Sequence, residues 1–178
     1  SMIFTTPLEK FHYMMSRFLG LFLAALLVMF AMLLAMVVTS FFLDAKQIGA
    51  FKPHYYLSSF AIFILPSVLL CTSIIFATAI FTKNMLAIYV AAIVVYVLYV
   101  IASVLGNSPL LARSSPLTSG NYGFSALLEP YGLIAYFEQS AYWVNAERNQ
   151  MEPQLSGSLL SNRLLWIAIS LSMFAYTY

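Results

Sequence analysis

Long uninterrupted apolar runs dominate the chain. Residues 18–43 contain no Asp, Glu, Lys, Arg, His, Asn or Gln, and residues 57–82 and 84–112 are each free of Asp, Glu, Lys and Arg. A helix as long as the first run extends about 40 Å, which exceeds the roughly 30 Å hydrocarbon layer of a bilayer. Because lipid offers the backbone no hydrogen-bond partners, such a run crosses a membrane as a helix.

A fourth apolar run ends the chain. Residues 159–178 carry one charged side chain, Arg163, close to the start of the run. The pattern therefore predicts an all-α polytopic membrane protein with interfacial helices and four transmembrane helices, at residues 18–43, 57–82, 85–105 and 159–178.

The polar stretch before the first run has the signature of a helix start. Thr6 suits an N-cap, Pro7 the first helical position and Glu9 the third position of a capping box, so a helix is predicted to begin at Pro7. Residues 1–17 are amphipathic, and we expect them to lie at the membrane surface and to turn into the span near Gly20. A plain extension of the first span is the alternative.

The second and third spans are separated by only two residues, Lys83 and Asn84. So short a link predicts an antiparallel hairpin. Pro66 lies inside the second span and is predicted to kink it, because proline has no N–H for the helical ladder. Four alternating spans place Lys10, Arg17 and Lys83 on one side of the membrane. The density of positive charge favours that side as cytoplasmic, whereas the total count favours the other.

Hydroxyl groups recur along one face of the third span: Tyr89, Tyr96, Tyr99 and Ser103. A buried phenol normally needs a hydrogen-bond partner, so this face is predicted to point away from lipid. Bonding between helices is the simpler interpretation, and a polar transport path is the other.

Residues 106–158 are more polar and form a predicted extramembrane loop. Glu129 and Pro130 are expected to open an interfacial helix in it. We hypothesise that the loop is held by a paired charge network of Glu138, Glu147, Arg148 and Arg163, since Arg163 at the edge of an apolar run needs a partner. Alternatively, each of these charges is solvated or reaches the interface by itself.

Composition narrows the class of function. The chain is 62% hydrophobic and 8% charged, with a net charge of +2 spread over its loops, so nucleic-acid binding is not expected. Cys71 is the one cysteine and lies in an apolar run, where a small buried side chain is the simplest role. No P-loop, H-E-x-x-H or G-x-S-x-G motif occurs, so we predict no enzyme, metal site or cofactor site in this chain.

Two segments resemble the permeases of type-2 ATP-binding-cassette (ABC) transporters. The first is Thr6-Pro-Leu-Glu-Lys-x-x-Tyr-Met-Met-Ser-Arg-Phe-Leu-Gly20. The second comprises Glu129-Pro-Tyr-Gly132, Tyr142-Trp143, Ala146-Glu-Arg-Asn149, Leu155-Ser-Gly157 and Asn162-Arg163-Leu-Leu-Trp166. It is similar to a subgroup of large bacterial permeases that continue into a zinc aminopeptidase-like domain. The resemblance implies a fragment, the last four spans of a six-span half.

The resemblance also implies a function. In that family the segment matching residues 1–17 meets the ATPase, which makes Pro7, Glu9, Lys10 and Arg17 candidate coupling residues. The implied protein is a multi-pass component of the bacterial inner membrane. Its partners would be lipid, an ABC ATPase subunit that binds the ATP, and a second permease half or a second copy. A membrane anchor for a peptidase or another domain, without transport, is the alternative function.

Overall fold

The protein is all-α in the part that the structure describes. A computed structural model describes residues 9–42, 52–105, 122–144, 147 and 151–177. Its helices are α1 Lys10–Ser40, α2 Pro53–Ser59, a π-helical segment Phe60–Ile64, α3 Leu65–Thr82, α4 Met85–Leu105, α5 Tyr122–Leu128, α6 Leu133–Ser140 and α7 Gly157–Thr177. Among the described residues, four continuous helical stretches are long and apolar enough to cross a membrane: Lys10–Ser40, Pro53–Thr82, Met85–Leu105 and Gly157–Thr177. The predicted fold class is confirmed.

Helix α1 joins the predicted surface segment and the first span in one helix of 31 residues. Gly20 lies inside α1, so the alternative, a plain extension of the first span, is confirmed and the expected turn near Gly20 is wrong. A single glycine weakens a helix by only about 1 kcal/mol relative to alanine. Glu9 has extended backbone angles, so α1 begins at Lys10 and not at Pro7. Thr6 and Pro7 lie outside the described residues.

The second span contains a π-helical segment where a kink was predicted. The span begins at Pro53, four residues before the predicted start, and ends at Thr82 as predicted. Pro66 is the second residue of α3 and follows the π segment Phe60–Ile64 directly. Since Pro66 cannot donate a hydrogen bond to the preceding turn, the wider π turn lies where the helical ladder is already interrupted.

The predicted hairpin between the second and third spans is confirmed. Lys83 adopts left-handed backbone angles and ends α3, and Asn84 Oδ1 accepts the N–H of Leu86 at 2.9 Å at the start of α4. Helix α4 has the predicted limits and packs against α3.

The α3–α7 pair lies at the centre, and α1 and α4 pack against α3. Ring contacts fix the directions of the helices: Phe18 lies against Phe76 and Phe174, Phe81 against Tyr176, and Phe30 against Phe60. Helix α7 therefore runs parallel to α3, and α1 runs antiparallel to both. We call the end with Lys10, Lys83 and Tyr176 the near end, and the end with Lys52, Leu105 and Gly157 the far end.

Helices α5 and α6 pack at the far end against α4 and α7. The helix predicted to open at Glu129 begins at Leu133 instead, because residues 129–132 form a turn that follows α5. A residue before proline avoids the helical region, and Gly132 has a φ of +73°, so the chain cannot continue as one helix there. A small apolar core closes this end; it comprises Ile62, Ala102, Ala126, Ile134, Ala135 and Leu159.

The outer surfaces of the flanking helices are apolar. Leu27 and Met36 on α1 are 70% and 65% exposed, and Leu86 on α4 is 69% exposed. Such side chains on helices of this length are expected to face lipid acyl chains or another membrane helix.

Candidate functional site

Side chains of α7 close the C-terminal end of α5. The Asn162 amide nitrogen donates to the backbone oxygens of Ala126, Leu127 and Glu129, and the last of these bonds is 2.8 Å long. Trp166 Nε1 donates to the Leu127 oxygen at 3.0 Å. The last carbonyls of a helix have no partner within it, so Asn162 and Trp166 supply the donors that α5 lacks.

Glu129 closes the N-terminal end of α6. Its Oε1 accepts the Tyr131 N–H at 2.9 Å, and its Oε2 accepts the N–H groups of Leu133 and Ile134 at 2.5 and 3.3 Å. The carboxylate thus lies where the free N–H groups and the helix dipole favour a negative charge. Its side chain is fully buried.

Arg163 covers the turn between the two helices. Its Nη2 donates to the Pro130 oxygen at 3.0 Å, and its Nε donates to Asn162 Oδ1 at 3.0 Å. The guanidinium lies directly on Gly132, where a Cβ atom would overlap it. We call Glu129, Gly132, Asn162, Arg163 and Trp166 the clasp.

Burial shifts the pKa values of two ionisable groups near the turn. Burial raises the pKa of Glu129, although the three N–H groups and the nearby Arg163 favour its charged form. Burial also raises the pKa of Tyr131 to about 12. The Tyr131 ring packs edge-on against Tyr99 of α4, with centroids 5.4 Å apart. Arg163 Nη1 is buried without a partner among the described residues.

The predicted charge network is wrong where it pairs Arg163 with Glu138 or Glu147, and its pairing with Arg148 stays a prediction. Glu138 Oε2 is buried and has no hydrogen-bond partner in the described part of the chain, and Glu147 Oε2 accepts the Val144 N–H at 2.9 Å. Neither carboxylate pairs with Arg163, whose nearby carboxylate is Glu129 instead. Arg148 lies outside the described residues. Arg163 is only 3% exposed, so it is not solvated at the interface either.

The sequence contained some indication of the clasp, though less than of the spans. Glu129 precedes a Pro-x-Gly turn, and Asn162 with Arg163 forms a polar pair at the start of an apolar run. Asn162 and Trp166 were indicated only by the family resemblance. The contacts among these residues did not follow from spacing, because Glu129 and Asn162 are 33 positions apart in the chain.

The polar face predicted on α4 is only partly buried. Ser103 is buried and Tyr99 half-buried, but Tyr89 and Tyr96 are 63% and 62% exposed. No other described helix of this chain covers these two tyrosines, so for them the prediction that the face points away from lipid stays a prediction. Helix α4 contacts α3 and α5, and its buried apolar residues are Val95 and Ala102.

The candidate coupling residues lie at the near end. Glu9 Oε2 is 3.3 Å from His12 Nδ1, and the Arg17 guanidinium lies 4.9 Å from the centroid of the Tyr13 ring. Lys10 is exposed at the start of α1. Pro7 lies outside the described residues. Met14 and Phe18 of the same turns are buried, so this end of α1 has one packed side and one charged, exposed side.

Polar contacts at the far end also hold the segment before α7. Gln139 of α6 pairs with the backbone of Gln154, and His54 Nδ1 lies 2.5 Å from Glu152 Oε1. In the described part of the chain, no group of three or more His, Cys, Asp or Glu side chains could hold a metal ion.

The fold and the clasp define a polytopic helical membrane protein whose far end is closed by hydrogen bonds. No family model, curated protein or solved structure matches this chain.

Proposed function

We propose that this chain is the membrane-spanning permease component of an ABC-type transporter. It couples ATP hydrolysis on a separate subunit to the movement of a substrate, as a multi-pass protein of the bacterial inner membrane. One observation carries the proposal: the charged first turns of α1 and the Lys83–Asn84 turn lie at the same end of the bundle.

An ATPase outside the membrane can act on a permease only through groups that leave the bilayer. Glu9, Lys10 and Arg17 offer both signs of charge on an exposed side of α1. Lys83 adds a positive charge at the same end. Complementary charges direct the docking of two proteins and fix their register, so this end suits a coupling surface.

The face of α4 supports a second membrane partner. Tyr96 lies halfway along a 21-residue helix and is 62% exposed, with no hydrogen-bond partner for its hydroxyl among the described residues. A phenol at that depth is costly against acyl chains alone. A second permease half or a second copy of the chain would provide the missing contacts.

The test is purification of the tagged protein from the cells that make it, in a mild detergent. We expect an ATPase with a P-loop to co-purify and to hydrolyse ATP. The double charge reversal Glu9→Lys with Lys10→Glu should reduce the bound ATPase or its activity. Lys52→Glu is the matched control, because Lys52 is an exposed charge at the far end.

Two results would contradict the proposal. Absence of any P-loop ATPase from the purified protein, together with a bound or fused peptidase, would favour a membrane anchor. Equal effects of the near-end and far-end reversals would remove the coupling role from Glu9 and Lys10.

A further inference from the structure

Phe18 is a buried contact between α1 and the central helix pair. Its ring centroid lies 4.4 Å from that of Phe174 on α7 and 5.5 Å from that of Phe76 on α3. The Phe76 and Phe174 rings also contact each other, at 6.0 Å. Phe18 is only 6% exposed. We call Phe18, Phe76 and Phe174 the near-end cluster.

The near-end cluster lies beside the charged turns of α1. Phe18 directly follows Arg17, and Lys10 is about two helical turns away, roughly 12 Å along the axis. Because α1 continues through Gly20 without a break, the charged turns and Phe18 belong to one helix. A displacement of those turns must therefore displace the Phe18 ring.

The rest of α1 is packed less tightly. Met14 and Phe18 are its buried residues, and both lie in its first third. Farther along, Phe30 meets Phe60 with ring centroids 6.1 Å apart, but Phe30 is 44% exposed. The near end thus fixes α1 firmly to two helices, whereas the far half is more open to lipid.

We propose that Phe18 is the positioning residue through which movement of the charged end of α1 reaches α3 and α7. This inference rests on the proposed coupling function. Close-packed side chains transmit displacement because they cannot be compressed. The near-end cluster joins three helices at one point, so a shift of α1 there reorients the central pair, which a contact with α3 alone would not achieve.

The experiment uses the complete transporter in lipid nanodiscs, with Cys71→Ala as background and spin labels at introduced cysteines. Labels at Ser16 and Leu86 report the movement of α1 against α4. Labels at Leu86 and Leu171 report the movement of α7 against α4. All three positions are exposed. Distances are measured with ADP and with ATP plus vanadate.

We expect both distances to change with nucleotide in the parent protein. In Phe18→Ala the α1 distance should still change, and the α7 change should be lost, with ATPase binding retained. Phe30→Ala is the matched control, an aromatic contact of the same helix at its other half, and it should keep both changes. Phe174→Ala removes the α7 side of the contact and tests the same point if Phe18→Ala does not fold.

A nucleotide-dependent α7 movement that survives in Phe18→Ala or Phe174→Ala would overturn the inference and leave the coupling function intact. Equal losses in Phe30→Ala would overturn it as well. If no ATPase accompanies the parent protein, the proposed function fails and the inference fails with it.

Discussion

The two ends of the helical bundle are held by different kinds of contact. At the far end, the clasp joins α5, α6 and α7 through hydrogen bonds from side chains to backbone atoms. At the near end, the Phe18, Phe76 and Phe174 rings join α1, α3 and α7 through ring packing.

The difference has energetic consequences. A hydrogen bond to a buried backbone group is directional, and removing one partner leaves the other without compensation. Ring packing in a membrane lacks the hydrophobic driving force that operates in water, and it tolerates small changes of shape. We therefore expect the far end to be sensitive to single substitutions and the near end to be tolerant.

The largest effect is expected for Arg163→Met. Removing the guanidinium leaves the buried Pro130 oxygen and Asn162 Oδ1 without their donors, at a cost of about 1–3 kcal/mol each. It also removes the positive charge that favours the ionised form of Glu129. Adding Glu129→Gln should recover part of the loss, with a coupling energy of about 1–3 kcal/mol. The double-mutant cycle is measured by thermal unfolding in detergent of the parent protein, Arg163→Met, Glu129→Gln and the double variant.

Glu138 supplies the control for that cycle. Since Glu138 does not contact Arg163, Glu138→Gln and Arg163→Met should add within about 0.5 kcal/mol. If Arg163→Met instead coupled with Glu138→Gln and was additive with Glu129→Gln, Glu138 and not Glu129 would be the partner of Arg163, as the sequence predicted.

Gly132→Ala should have the next largest effect. The methyl group would overlap the Arg163 guanidinium, and alanine resists a φ of +73°. We expect a loss of about 2–4 kcal/mol, from backbone strain together with displacement of a buried arginine. Thermal unfolding in detergent measures this loss as well.

Gly123→Ala is the matched control in the neighbouring helix. A Cβ at Gly123 meets no atom within 4 Å, so alanine there should leave stability unchanged or raise it by up to about 1 kcal/mol. Similar losses at both glycines would show that the Arg163 contact is not what requires Gly132.

The near end and the spans were largely predictable from the sequence. Apolar runs and a two-residue link determined α3 and α4, because helix limits in a membrane follow from local hydrophobicity and from breakers such as the Lys83–Asn84 turn. The merging of the surface segment into α1 was only the alternative prediction, because an amphipathic start is compatible with both a bent and a continuous helix.

The clasp was not predictable to the same degree. Its bonds from α7 to α5 and the turn join residues more than 30 positions apart, and hydrophobic periodicity contains no information about such pairs. Arg163 was correctly identified as a residue that needs partners. The choice of Glu138 over Glu129 was wrong because Glu129 was expected to open a helix, whereas it lies beside the turn that Arg163 covers.

The smallest effect is expected at the near end, for Phe174→Leu. Leucine retains most of the apolar contact and loses only the ring interactions with Phe18 and Phe76, at 4.4 and 6.0 Å, so we expect a loss of about 1 kcal/mol. Phe124→Leu is the control, since Phe124 is 73% exposed, and it should change stability by less than about 0.5 kcal/mol. A Phe174→Leu loss as large as that of Arg163→Met would mean that ring geometry at the near end is as restrictive as the hydrogen bonds of the clasp. The near end would then not differ from the far end in its tolerance of substitution.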